Sequence, residues 1–220
     1  MKTINIAIDG PAGAGKSTIA KMVSKELGYI YVDTGALYRT IALFLTENGI
    51  ADKDIEANIG KADVSLRFID GAQRVFLGDR DVSGMIRTPE ISMAASRTSA
   101  IPAVRAYLFE TQQKIARENN VIMDGRDIGT VVLPNADVKI FLTASAEERA
   151  NRRYKELMEK PDCPTYQEVL DDIIKRDYQD THRKTAPLKQ AEDAVLVDSS
   201  DMSIQEVADT IISIYKEKIG

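Results

Sequence analysis

Residues Gly10-Pro11-Ala12-Gly13-Ala14-Gly15-Lys16-Ser17-Thr18 match the phosphate-binding pattern G-x-x-x-x-G-K-[ST], and they follow an apolar run, residues 4–8, that reads as a strand. The spacing has a physical cause. Glycines let successive backbone N–H groups turn inward without a side-chain clash, which builds a nest for phosphate oxygens at a helix N-terminus. Lys16 can then reach the outer phosphates, and the Ser17 hydroxyl can ligate Mg²⁺. The pattern predicts a nucleoside triphosphate held over residues 10–18.

A phosphate loop alone does not separate kinases from regulatory GTPases or motor ATPases. A GTPase would also carry a guanine-reading Asn-Lys-x-Asp segment, and the sequence has none. Asp81-Val82-Ser83-Gly84 fits the loose Asp-x-x-Gly element but falls inside an expected hairpin and reads as a chance match. What accompanies the loop is a set of arginines among acids and hydroxyls: Asp33-Thr34 with Arg39, Arg105, Arg126-Asp127, Arg149 with Arg152-Arg153, and Arg176 with Asp180 and Arg183. That chemistry suits an acceptor that is itself a phosphate. Phosphoryl transfer spreads charge over the phosphoryl oxygens, so the protein positions and neutralises, and arginine binds phosphate bidentately without ever deprotonating. Hydrogen bonds to charged groups contribute roughly 1.5–3 kcal/mol each, whereas an exposed ion pair contributes about 0–1 kcal/mol. Any one of these arginines reads equally well as a solvated surface charge; the whole set, in loops after strands and near helix ends, reads as a phosphate site. His182, the single histidine, lies among charged residues and reads as exposed, and transfer to a phosphate oxygen needs no general base.

Apolar strand-like runs recur at residues 4–8, 29–32, 121–123, 138–142 and 194–197, with helical periodicity between and after them. The alternation predicts a parallel sheet covered on both faces by helices. Ser145-x-x-Glu148, Thr165-x-x-Glu168 and Ser203-x-x-Glu206 read as capping boxes, and Thr88 before Pro89 as a further helix start. One region breaks the pattern. Residues 64–69 and 74–77, joined across Asp70-Gly71, read as an antiparallel hairpin, with a short third strand near 80–82. The expected organisation is a core domain over residues 1–60 and 92–220, with a lid near 146–185, and an inserted lobe over 61–91.

At 220 residues, with 44% hydrophobic residues, the chain can bury a sizeable core. A net charge of −5 argues against nucleic acid or an anionic membrane surface as the main partner. No apolar run approaches the roughly 18 residues of a membrane span, and Asp9 comes too early for a secretory apolar region. Cys163, the one cysteine, lies between Pro161 and Pro164 and suits a reducing cytosol. A cytoplasmic monomer is the expectation, since no exposed apolar stripe is evident.

Asp33-Thr34-Gly35-Ala36-Leu37-Tyr38-Arg39, Asp81-Val82-Ser83-Gly84-Met85-Ile86-Arg87, Ala94-Ala95-Ser96 and Asp124-Gly125-Arg126-Asp127-Ile128-Gly129-Thr130 form a distinctive series along the chain. Arg176-Asp177-x-x-Asp180-x-x-Arg183, followed by Ala186-Pro187-Leu188, completes it. Over essentially its whole length the chain resembles the bacterial cytidylate kinases, nucleoside monophosphate kinases of the P-loop superfamily that transfer phosphate from ATP to CMP or dCMP. The resemblance implies that Thr34, Arg39, Arg126 and Arg183 hold the monophosphate, that Arg176 and Asp180 sit at the sugar, and that Ser96, Arg105 and Asp127 face the cytosine. It also implies that Arg149, Arg152 and Arg153 belong to the segment closing over ATP. Cytosine offers an amino donor where uracil offers an acceptor, so a carboxylate such as Asp127 selects cytosine on chemical grounds as well. Asp33 and Asp124 both follow apolar runs at expected strand ends, and Asp33 is taken as the acid that organises Mg²⁺ through water, beside Ser17.

The expectation is therefore an α/β P-loop fold with a small antiparallel monophosphate-binding insertion and a helical lid. Lys16, Arg126 and Arg183 form its catalytic set, Mg²⁺ accompanies ATP, and the reaction belongs to pyrimidine nucleotide metabolism. Two rivals remain at this level: a kinase for another nucleotide or a hydroxylated metabolite, as in guanylate or shikimate kinases, and a nucleotide-dependent switch binding a protein partner.

Overall fold

Strand β1 (Asn5–Asp9) is a near-continuous apolar run, buried from Ile6 onward, as expected of a strand covered on both sides. In the computed structural model, which describes residues 2–159 and 163–220, it belongs to one of two compact units. One unit is built on Ile30–Val121, the other on Ile4–Tyr29 with Ile122–Gly220. Pro161, one of the prolines framing Cys163, lies outside the described residues.

In the second unit β1 is followed by α1 (Lys16–Leu27), and the chain returns through β6 (Val121–Gly125), β7 (Val138–Thr143), α6 (Ala146–Leu157), α7 (Tyr166–His182), β8 (Val195–Asp198) and α8 (Ile204–Ile219). The strands lie in the order β6-β1-β7-β8. β1 pairs parallel with β7, Ile8 opposite Ile140, and β7 pairs parallel with β8, Ile140 opposite Val195. α1 packs on β1 and α8, and α6 on α7, where Ala150, Val169 and Ile173 form a small core. Both α7 and α8 start at complete capping boxes, Thr165 with Glu168 and Ser203 with Glu206. α6 realises only half of the expected box. Ser145 Oγ accepts from Glu148 N, but the Ser145 N–H donates to Ser200 Oγ, and Glu148 turns to Arg152 instead. Val207, Ile211 and Ile212 are buried on α8, whereas Ile204, in its first turn, is exposed.

In the first unit β2 (Ile30–Asp33) leads into α2 (Thr34–Glu47), followed by the one-turn helix α3 (Ile55–Asn58), the strands β3 (Val64–Ile69), β4 (Ala72–Leu77) and β5 (Arg80–Asp81), and the helices α4 (Pro89–Thr98) and α5 (Pro102–Glu118). The three strands form an antiparallel sheet in the order β3-β4-β5. Ile69 stands opposite Ala72, so Asp70 and Gly71 alone make the turn, with φ of 52° and 73°. Both angles are positive, as a two-residue hairpin turn that follows strand twist requires. Thr88 caps α4 by accepting from Ile91 N, with Pro89 where its missing N–H costs nothing. α2 carries two apolar sides. Ala36, Ala42 and Leu43 pack with Val75, Val82, Ile86, Ile91 and Ala95, while Leu37, Ile41 and Leu45 pack with Ile55, Ile59, Val104 and Leu108. Among the described residues no helix is long and apolar enough to cross a membrane.

Leu108 is fully buried against α2. Leu108→Ala should cost about 2–5 kcal/mol in urea unfolding, through lost burial plus the cavity left behind. A loss near zero would contradict this packing.

Candidate active site

The phosphate loop occupies the second unit, between β1 and α1. Gly10 opens it with φ of 151°, and a β-carbon there would collide with the Leu142 carbonyl oxygen on β7. The loop can lie against the sheet only because residue 10 has no side chain. Gly15 is the N-cap of α1 in a left-handed conformation at φ 84°, where it supplies no side-chain cap. The first-turn N–H groups of α1 are thus left for a ligand to satisfy, with the helix dipole favouring an anion.

Lys16, the first residue of α1, is buried and donates to the Pro11 carbonyl oxygen at 2.6 Å, folding its ammonium back into the loop. Burial, and next the charge of Arg126, push the Lys16 ammonium down to about 7, while Asp124, Asp9 and Asp180 oppose them. The charge of Arg126 therefore reaches a desolvated Lys16, an arrangement that an anion would relieve. Ser17 Oγ donates to Asp124 Oδ2 at 2.7 Å, with Asp124 buried at the end of β6.

The residues after β6 continue the site. Arg126 Nε donates to Asp180 Oδ2 on α7 at 2.8 Å, and Arg183 Nη2 pairs with Asp127 Oδ1 at 3.3 Å. Arg183 is also held by Nε donating to the Ala186 carbonyl oxygen, across a backbone with positive φ at Ala186. Burial pushes the Asp180 carboxyl up, but Arg126, Arg176 and Arg183 outweigh it and hold Asp180 below the usual carboxylate range. Asp180 is the common counter-ion of all three arginines.

The three arginines of α6 part company. Arg149 is buried on α6 and forms a bidentate pair with Asp177 at 3.0 and 2.6 Å. It also donates to the Ala12 carbonyl oxygen of the phosphate loop at 3.0 Å. Arg152 is tied to Glu148 and to the Ser199 carbonyl oxygen after β8. Arg153 is half-exposed and pairs with Glu156 on its own helix.

In the first unit Thr34 is buried at the start of α2, just after Asp33. Asp33 is fully engaged: Oδ1 accepts from Ala36 N at 2.9 Å as the helix N-cap, and Oδ2 pairs with Arg39 at 3.0 Å and Arg87 at 3.7 Å. Gln73 of β4 clasps the Asp33 backbone from both sides, accepting from its N–H and donating to its carbonyl. Arg39 keeps a buried Nε with no hydrogen-bond partner among the described residues. Arg105 on α5 lies 5.7 Å from the Tyr38 ring centre and donates weakly to the Ser99 carbonyl, and Ser96 lies on α4. His182 is exposed and stacks on Tyr178.

Sequence reasoning gave no role to three residues that organise these groups. Asp177 holds Arg149 and Gln73 holds Asp33; neither pairing follows from local spacing. Asp9 was accessible to the rule that singled out Asp33 and Asp124, an acid at the end of an apolar run, and its carboxylate accepts from Ile128 N and Gly129 N at 2.7 Å each. Burial raises it to about 6, against both those bonds; Asp127 adds to the rise and Lys16 opposes it.

A family model described as cytidylate kinase matches residues 6–217. The cytidylate kinase of Caldicellulosiruptor bescii is 51% identical over 218 residues, covering 98% of this chain and 96% of that one. That of Carboxydothermus hydrogenoformans is 48% identical, covering 98% of each. A solved structure of an uncharacterized protein from Eubacterium ventriosum superposes with a TM-score of 0.56 at 14% identity, covering 98% of this chain and 99% of that one, and shows likeness of fold alone. With a family match across nearly its full length and relatives near half identical, this chain belongs to the cytidylate kinase family.

Proposed function

We propose that this cytidylate kinase moves the γ-phosphoryl group of ATP onto the phosphate of CMP or dCMP through the side chains assigned below. The observation that carries the reading is a buried Lys16 whose ammonium is weakened by burial and by the charge of Arg126, while Arg126 is itself held by Asp180. Such a pair gains most from an anion whose charge is spread over several oxygens, which describes the phosphoryl group in transfer.

In this reading ATP occupies residues 10–18, with its phosphates on the loop N–H groups and Lys16. The phosphate of CMP is assigned to Thr34, Arg39, Arg126 and Arg183. Arg176 and Asp180 serve the sugar, and Ser96, Arg105 and Asp127 the base. The orphan Nε of Arg39 supports an anionic ligand there. Because the acceptor oxygen is already ionised, no side chain needs to remove a proton. Residues 146–185 act as the lid, with Arg149 nearest the donor because it already bonds to Ala12, and residues 61–91 act as the monophosphate lobe. Lid closure excludes water, so hydrolysis does not compete. A cytoplasmic monomer agrees with the single cysteine and acidic charge.

Mg²⁺ fits the second unit. Ser17 Oγ and Asp124 Oδ2 offer two hard oxygens side by side, and no group of three acidic or histidine ligands exists among the described residues, which suits an ion held largely by water and phosphate. Both Asp33 oxygens are taken by the α2 cap and by arginines, so the proposal places the ion with Ser17 and Asp124 rather than with Asp33. An Mg²⁺ ion held there would supply positive charge to offset that of the ATP phosphates during transfer.

The deciding measurement is coupled ADP release with a panel of nucleoside monophosphates. CMP and dCMP should raise ATP consumption far above its rate in buffer, and Lys16→Ala should lower that turnover by about a hundredfold or more with unfolding still cooperative. No stimulation by either would remove the reading, and stimulation by GMP alone would favour the guanylate rival. Asp124→Asn should raise the Mg²⁺ concentration for half-maximal rate several-fold; an equal rise with Asp33→Asn would count against the assignment.

Bound triphosphate brings negative charge to Lys16 and returns its ammonium toward the ordinary value of about 10.4. The bound form then holds a proton that the free form lacks at pH above about 7. ATP binding should thus take up most of one proton near about pH 8, and affinity should fall as pH rises through that range. Titration calorimetry in two buffers of different ionisation heat measures the uptake, which Lys16→Met should abolish.

A further inference from the structure

Asp9 ends β1 and precedes Gly10, so its main chain runs straight into the phosphate loop. Its buried carboxylate reaches instead to the segment after β6. Oδ1 accepts from Ile128 N and Oδ2 from Gly129 N, each at 2.7 Å. These two N–H groups open a π-helical turn, Ile128–Val132, that begins immediately after Arg126 and Asp127. Two oxygens on two successive N–H groups fix the turn in rotation as well as in distance, and charge-assisted bonds of this kind are short and strong.

The turn is also confined from its other side. Lys139, buried on β7, donates to the Pro134 carbonyl oxygen at 2.6 Å and pairs with Asp193 at 2.9 Å. A β-carbon added at Gly129 would stand 3.2 Å from Lys139 Cδ and 3.3 Å from Asp9 Oδ2. The turn therefore packs tightly against both side chains, and a β-carbon at Gly129 would have to push them back by a few tenths of an ångström. A buried carboxylate is costly to retain unless its bonds are all made. Here both oxygens serve a segment far away in sequence that carries two of the groups assigned to CMP.

We propose that Asp9 is a positioning residue: by clamping Ile128 and Gly129 it sets Arg126 and Asp127 at a fixed offset from the phosphate loop, and so governs base choice without touching the base. This rests on the reading of Asp127 as the acceptor for the cytosine amino group. Asp9→Asn keeps the shape but sets an amide N–H₂ against one of the two main-chain donors, which frees the turn.

The test compares kcat/KM for CMP and for UMP, with MgATP, in the full chain and in Asp9→Asn, Gly129→Ala and Asp127→Asn. Asp9→Asn should narrow the CMP-over-UMP ratio by about tenfold or more and Gly129→Ala by about threefold, since displacement of a reacting or reading group by even ~1 Å is worth up to about a hundredfold. Simple loss of stability lowers the active fraction for both substrates alike and cancels in the ratio. A ratio within about twofold of wild type in both clamp variants, while Asp127→Asn lowers it, overturns the proposal. If Asp9→Asn does not fold, Gly129→Ala decides alone. If Asp127→Asn leaves the ratio unchanged, the base reading itself falls and the clamp's part in base choice falls with it; if CMP is no substrate at all, the failure is that of the proposed reaction.

Discussion

Like charges forced together out of water are the constraint around which the second unit is organised. Lys16 and Arg126 repel, Arg176 and Arg183 add to the positive field, and all lie where solvent screening is reduced. Asp180, Asp127, Asp124 and Asp9 make the arrangement tolerable: each is buried, Asp180 and Asp127 pair with arginines, Asp9 accepts from main-chain N–H groups, and Asp124 accepts the Ser17 hydroxyl. Burying such pairs brings little net stability, and removing one partner leaves an uncompensated charge. What the arrangement supplies is geometry: cations held in place before an anionic ligand arrives have no reorganisation left to do.

Each unit also presents a helix N-terminus, and the two are finished differently. α1 begins at a left-handed glycine that offers no side-chain cap, so its first-turn N–H groups stay open to phosphate. α2 begins at Asp33, whose carboxylate closes the cap and turns its other oxygen to Arg39. The first helix end has no side-chain cap. The second is sealed and offers side chains instead, Thr34 and Arg39, with Gln73 tying the same corner to the antiparallel sheet.

The arginines of α6 illustrate how one sequence cluster divides once folded. Arg149, Arg152 and Arg153 stand at i, i+3 and i+4 on α6, positions that share one side of a helix, yet each ends on a different partner. Arg149 points inward to Asp177 and Ala12, Arg152 toward Ser199, and Arg153 outward to Glu156. Composition counts three positive charges; the partner each one meets separates their surroundings.

What could be read from the residues in order was whatever acts within a few of them. Glycine spacing before Lys16 and Ser17, hydroxyl-carboxylate pairs at Thr165 and Ser203, the Asp70-Gly71 turn and the apolar runs all work through neighbours along the chain, and each recurs in the structure within a residue or two. The half-made box at Ser145 departs from that rule because Ser200, a distant residue, competes for its N–H. Partnerships such as Ser17 with Asp124, 107 residues apart, or Asp9 with Ile128, 119 residues apart, depend on which strands become neighbours. A sequence determines the chemistry each side chain brings and the local turns that present it. Which carboxylate meets which cation is decided only when strand order closes loops of a hundred residues, because no short-range preference records so long a path.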